Sequence, residues 1–216
     1  MSKVWLIRHG ESVSNANLPT SDPAQSALTE KGFFQAEQIV SAFTDRPDLV
    51  VVSPYLRARQ TAVPTINHFT PVPVAEWPVH EFTYLAPSRY NGTTGVDRAP
   101  YAHAYWQQND PTYKDKGEGE SFAELLERVW AFVAQLRKHP APFLAVFSHG
   151  MFLRAFFWVM LVNATQATPE MMQRYGRYLQ SVWMPNAAIC KVHIADDGVY
   201  FTGFDTAHLN RANQSS

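Results

Sequence analysis

One pattern, used three times, constrains this chain more than any other: a short all-apolar run that ends abruptly in basic or imidazole side chains. Val4-Trp5-Leu6-Ile7 runs into Arg8-His9-Gly10, and Phe143-Leu144-Ala145-Val146-Phe147 into Ser148-His149-Gly150. Between them, Leu49-Val50-Val51-Val52-Ser53 precedes Pro54-Tyr55-Leu56-Arg57-Ala58-Arg59. Each run is too short for a helix and rich in strand formers, so each reads as a strand buried on both faces, the kind that builds a parallel sheet. The carboxyl ends of such strands face the ligand crevice of an open α/β sheet. A lone Arg-His-Gly is a common tripeptide whose plain reading is a solvated strand end. Repetition changes that reading, because three strands bring His or Arg to one edge, and a cation beside an imidazole points to anion chemistry. Gly10 is expected to let the backbone turn tightly beneath them.

These segments, together with Leu28-Thr29-Glu30-Lys31-Gly32, Gln35-Ala36 and the run Ser53 to Ala62, resemble the signatures of the histidine phosphatase superfamily, the phosphoglycerate-mutase-like proteins, in that family's order. The matching segments span most of residues 4 to 155. The fold expected is a three-layer α/β/α sandwich with a mostly parallel central sheet and a small aromatic-rich cap insertion. The resemblance implies a phosphohistidine on His9, with Arg8, Arg57 and His149 binding phosphate; Gly150 belongs to the same motif, and Ser12 and Asn15 are placed to donate to the anion. Arg57 is preferred to Arg59 by family alignment, and Arg59 lies about half a helical turn away. The family's proton donor is a glutamate near this point, which Glu81 matches best by position, with Glu76 as the competing choice. The usual glycine and tryptophan downstream are replaced by Leu85-Ala86-Pro87.

A phosphomonoester carries about two negative charges at neutral pH, so an imidazole nucleophile needs fixed positive charge beside it. Arginine suits that task because its planar fork binds two oxygens and stays protonated. His9 must present a neutral ring nitrogen while His149 serves best as a protonated contact, which calls for opposite protonation states in one pocket. The first reading is a metal-independent phosphomonoester hydrolase acting on a small phosphorylated metabolite. The alternatives are a phosphoglycerate-mutase-type phosphotransferase and a non-catalytic phospho-ligand-binding protein. No cofactor or metal is expected, since neither an HExxH motif nor a His-x-His pair occurs.

Composition enters as a bound. With 216 residues and 46% hydrophobic content, one domain over residues 1–216 is expected, its cap inserted at about residues 82–120. A net charge of −1 gives no attraction for nucleic acid or an acidic membrane, so the pull on an anion must be local. Cys190 stands alone, which excludes an internal disulfide, fits a reducing compartment and suggests buried filler. Met1-Ser2-Lys3 runs straight into the first strand without a leader pattern, so a cytoplasmic location is expected. Phe152 to Val162 contains Arg154 and is too short to span a bilayer. The partners expected are a small phosphorylated substrate and no nucleic acid or membrane, with a homodimer among the assemblies open to the chain.

Local signals complete the reading. Asn15 to Ser26 is loop; Thr29 caps a helix that turns Phe33, Ala36, Ile39, Val40 and Phe43 to the sheet, and Pro54 opens the next helix. A strand at Val72–Ala75 precedes the Glu81 segment. Residues 86–120 are aromatic and weakly periodic, and residues 91–95 read as a turn. Ser121 and Glu124 form a capping box, a helix follows His149 to about Val162, and Thr168-Pro169-Glu170 opens another. Strands at Ala188–Ile194 and Tyr200–Phe204 flank an Asp196-Asp197-Gly198 turn, and the last dozen residues are expected to fray.

Overall fold

Strand β1, Ser2–Arg8, is completely apolar from Val4 to Ile7 because both of its faces are covered. Val4 and Leu6 enter one core and Trp5 and Ile7 the other, as the two-residue period of a strand requires. The computed structural model describes residues 2–195 and 198–214, with side chains through residue 210. Its other strands are β2 (Leu49–Val52), β3 (Val74–Glu76), β4 (Phe143–Ser148), β5 (Ile189–Ala195) and β6 (Gly198–Phe201). They form one sheet of order β3-β2-β4-β1-β5-β6. The first four are mutually parallel, and β5 and β6 add an antiparallel edge. Arg8 pairs with Ser148 and Val52 with Phe147, so the strand ends carrying His9, Ser53 and His149 lie side by side.

Helices α1 (Glu30–Val40) and α2 (Leu56–His68) cover one face through Ile39 and Ala62. Helices α4 (Phe122–Lys138) and α5 (Gly150–Val162) cover the other, with α6 (Pro169–Ser181) packed on α5. This is the three-layer arrangement expected. Each large apolar side chain fully buried here contributes about 1.5–3 kcal/mol. Among the described residues no helix is long and apolar enough to cross a membrane, and Cys190 is buried as expected.

The capping signals at Thr29, Ser121 and Thr168 all appear as hydrogen bonds to the backbone N–H three residues on. Several details differ from expectation. Phe33 is about half exposed, because α1 buries only Gly32, Ala36 and Ile39. Pro54 precedes the cap residue Tyr55 instead of opening α2, and β3 is shifted to Val74–Glu76. The cap contains a full helix, α3 (Gly95–Gln108), started by a Thr94–Asp97 capping box. Its periodicity is weak because Pro100 lies inside it and it buries only Arg98 and Tyr105. Ala207–Gln214 forms a 3₁₀ segment, with His208 buried. The Asp196-Asp197 part of the expected turn lies outside the described residues; the flanking Ala195 and Gly198 pair as a hairpin would require.

Candidate active site

Gly10 makes the site compact by close approach, not by an unusual turn. A Cβ there would lie 2.5 Å from the Gly32 carbonyl oxygen, and one at Gly32 would lie 2.0 Å from the Glu11 oxygen. The Gly10 N–H donates to Thr61 Oγ1 at 3.1 Å, and the Glu11 N–H to Gln35 Oε1 at 2.8 Å. Several polar residues of the sequence signatures thus lash the loop after β1 to α1 and α2.

His9 follows β1 directly and is 2% exposed. Its Nδ1 lies 2.7 Å from its neighbour's carbonyl, Gly10 O. A carbonyl only accepts, so Nδ1 carries the hydrogen and Nε2 keeps its lone pair. Arg57 Nε donates to that Nε2 at 3.1 Å, and Arg57 Nη1 donates to Pro23 O at 2.6 Å. Arg57 sits in the opening turn of α2, buried, whereas Arg59 is exposed and paired with Glu76. Glu76 thus stands on the surface at the sheet edge, and it is not among the residues that line the cavity beside His9.

Glu81 opens onto the same cavity as His9. It lines, with His9, Ser12, Asn15, Arg57 and Tyr90 among others, a cavity of about 100 Å³. Its Oε1 accepts the N–H of Phe82 at 3.0 Å, of Met151 at 3.0 Å and of Phe152 at 3.1 Å. The last two are free donors of the first turn of α5, a favourable place for a carboxylate. The segment before it is fixed by Arg128, which donates to Pro78 O and His80 O and forms a bidentate pair with Glu120. Arg128 therefore braces the Glu81 segment, with Glu120 as its partner.

Ser12 Oγ donates to Asn15 Oδ1 at 3.1 Å, and both residues line the cavity. Arg8 and His149 are not among its lining side chains. Arg8 donates through Nη1 to Met184 O, with its Nε unpaired and buried. It lies against Gly150, where a Cβ would come within 3.1 Å of Arg8 Nε, so only glycine leaves the guanidinium its room. The His149 ring is 5.0 Å from that of His9, its Nε2 lies 2.7 Å from Ser53 Oγ, and its Nδ1 is buried without a partner.

Burial pushes His9 well below the ordinary imidazole value of 6.5, and the charges of Arg57 and Arg8 push the same way. His149 is lowered for the same first reason, with Arg57 again adding to it. The expected opposite protonation states are therefore absent from the protein itself: both rings are held neutral by burial, with the charge of Arg57 acting on each. Arg8, lowered by burial to about 10, remains charged at neutral pH. A linkage effect follows. Below pH 6.5 the unfolded chain takes up protons that the folded rings refuse, so stability falls as pH falls through that value. Each histidine contributes a slope of about 1.4 kcal/mol per pH unit. Urea unfolding between pH 7 and 5 should show this loss, and His149→Asn should remove one histidine's share of it.

Sequence reasoning missed the segment before β5. Asn186 Nδ2 reaches His9 O and Gly10 O at 3.2 Å and Asn15 Oδ1 at 2.9 Å, while the Ala187 N–H donates to His9 O at 3.1 Å. Ala187 has φ of 57°, a left-handed conformation that costs a non-glycine residue energy and is held here by these bonds. Pro185-Asn186 is a turn signal that marked the place without revealing its partners. Tyr55 was also missed: its hydroxyl pairs with Thr83 Oγ1 at 2.8 Å, and its ring stacks on His80 and stands edge-on to His149. Beside the His9 cavity, and sharing Pro23 and Thr83 with it, a cleft of about 700 Å³ opens between Tyr55, His80 and the start of α4.

Comparison with known proteins identifies the family and the fold. Residues 4–205 match the histidine phosphatase superfamily (branch 1). The metal-independent phosphoserine phosphatase of Arabidopsis thaliana is 26% identical over 215 residues, covering 97% of this chain and 84% of that protein. The adenosylcobalamin/alpha-ribazole phosphatase of Salmonella typhi is 32% identical over 143 residues, 62% of this chain and 66% of that one. In fold, the crystal structure of the alpha-ribazole phosphatase from Shigella flexneri superposes with a TM-score of 0.71 at 22% identity, covering 94% of this chain and 96% of that one. The phosphoserine phosphatase of Entamoeba histolytica gives 0.72 at 20% identity, over 97% and 100%. With the family match running through both histidine motifs and nearly to the end of the described chain, this protein belongs to the histidine phosphatase superfamily, branch 1.

Proposed function

We propose that the chain hydrolyses a phosphomonoester of a small metabolite through a phosphohistidine on His9, with Glu81 as acid and then base. The observation that carries this reading is the fixed tautomer of His9: Nδ1–H is tied to Gly10 O, which leaves Nε2 as a lone pair beside Arg57, in the cavity Glu81 also lines. A phosphate dianion is a stronger acceptor than a neutral imidazole, so it draws the Arg57 donor from Nε2 and frees the nucleophile as it binds. Nε2 then attacks phosphorus, the bond to the ester oxygen breaks, and Glu81 gives that oxygen its proton. The carboxylate left behind takes a proton from water, whose oxygen attacks phosphorus and breaks the N–P bond, restoring neutral His9. Oε1 of Glu81 accepts from all three backbone donors, while Oε2 takes only a longer, shared bond from Met151 N–H at 3.3 Å and is the oxygen better placed to carry the proton. Arg8, charged and next to His9 in the chain, strengthens the field on the equatorial oxygens.

The large cleft is the natural place for the leaving group. Glu120 is paired with Arg128 and Glu124 with Lys114, while Glu118 and Glu127 have no ion-pair partner among the described residues. An acidic cleft repels a second phosphate, which favours hydrolysis of a monophosphate over a phosphoglycerate-mutase exchange. The relatives named as phosphatases of phosphoserine and alpha-ribazole support the same class. We place the enzyme in the cytoplasm, on the single buried thiol Cys190. The test is release of inorganic phosphate from phosphoserine and from a nucleoside-type monophosphate in excess chelator. Release undiminished by chelator is expected; interconversion of phosphoglycerates without net phosphate release would favour the mutase.

A further inference from the structure

We propose that Tyr90 is a substrate-contacting residue, its phenolic hydroxyl donating to a non-bridging oxygen of the phosphoryl group held in the His9–Arg57–Glu81 cavity. The proposal rests on the hydrolase reading for its kinetic consequences and on the cavity alone for its binding consequences. Tyr90 comes from the cap, on the turn that precedes α3, and lines the cavity with the candidate nucleophile and acid.

The other cap hydroxyl in that lining is committed: Thr83 Oγ1 is 2.8 Å from Tyr55 Oη and bonds to Glu81 O. Ser12 and Asn15 are bonded to each other. The Tyr90 hydroxyl has no hydrogen-bond partner among the described residues, although the ring itself is firmly placed. The guanidinium of Arg98 lies 4.3 Å from the ring centre. Arg98 is buried, and its Nη1 donates to Thr93 O at 2.7 Å, Thr93 Oγ1 at 2.9 Å and Thr20 Oγ1 at 3.2 Å. These acceptors are neutral, so the ring face is the remaining partner for a buried charge. The cap thus holds a cation behind the ring and leaves the free hydroxyl to the cavity. Burial raises the phenol's pKa, so it is a donor at neutral pH. A cavity of about 100 Å³ takes a phosphoryl group and little more, which assigns the contact to phosphoryl oxygen and not to the leaving group.

Tyr90→Phe tests this directly, because it removes one oxygen and keeps the ring on Arg98. A charge-assisted hydrogen bond is worth roughly 10- to 100-fold in affinity or rate. In the full-length protein, with thermal midpoints measured in parallel, kcat/KM should fall by that factor for an aryl and an alkyl phosphate alike. The dissociation constant of inorganic phosphate, measured by calorimetry, should weaken at least tenfold. Unchanged phosphate binding and unchanged kcat/KM would overturn the proposal. A loss confined to one substrate with phosphate binding intact would also overturn it, by assigning the hydroxyl to the leaving group. If the wild-type protein binds phosphate but hydrolyses nothing, the hydrolase reading fails while the calorimetric comparison still decides the role of Tyr90.

Discussion

Replacing His9 by alanine is expected to lower phosphomonoester hydrolysis by more than about 10³-fold, beyond the 10²–10³ that loss of a single anion-stabilising donor costs. The reason is that the neighbouring groups stabilise charge but cannot form the bond to phosphorus. Arg57 keeps its anchor on Pro23 O, and Ser12 and Asn15 keep each other, so inorganic phosphate still binds the variant. Steady-state hydrolysis of an aryl phosphate, whose leaving group needs little protonation, isolates the nucleophile. Activity in His9→Ala within tenfold of wild type would remove His9 from the reaction.

Glu81→Gln should separate substrates by their leaving groups. Glutamine keeps an oxygen that can accept from Phe82, Met151 and Phe152, so the start of α5 and the cavity shape are retained. It loses the transferable proton, which is worth about 10²–10⁴-fold for a poor leaving group. An alkyl phosphate should therefore lose that factor in kcat, and a nitrophenyl phosphate less than about tenfold in the step that breaks its ester bond. The plot of rate against leaving-group pKa becomes correspondingly steeper. An equal loss with both substrates would mean that Glu81 holds the geometry of α5 and does not deliver the proton.

The parts of this site that were legible in the sequence are those carried by local chemistry. Apolar strand runs ending in Arg8-His9, Ser53 and Ser148-His149 fixed which residues meet, because parallel strands deliver their carboxyl ends to one edge. Caps at Thr29, Ser121 and Thr168 were readable for the same reason: a side chain and a backbone N–H three residues apart decide them. What was not legible depends on distant partners. Arg59 and Glu76 neutralise each other across the sheet edge, which no spacing reveals. The protonation of His149 follows from burial together with Arg57, two facts that exist only once α2 packs beside β4. Helix α3 escaped because a helix that covers aromatic rings from outside, with Pro100 within it, needs no regular apolar stripe. Asn186 was hidden because its acceptors, His9 O and Gly10 O, are backbone atoms more than 170 positions away.

The proposed reaction turns on a covalent bond between phosphorus and His9 Nε2. Mixing the wild-type protein with substrate and quenching within the first turnovers into alkali, where a phosphoryl-imidazole bond survives, tests it most directly by peptide mass. A phosphorylated peptide containing His9 is expected, lost on acidification and absent from His9→Ala. A protein that turns over substrate while His9 stays unmodified at every quench time, or a phosphoryl group found on another side chain, would contradict it.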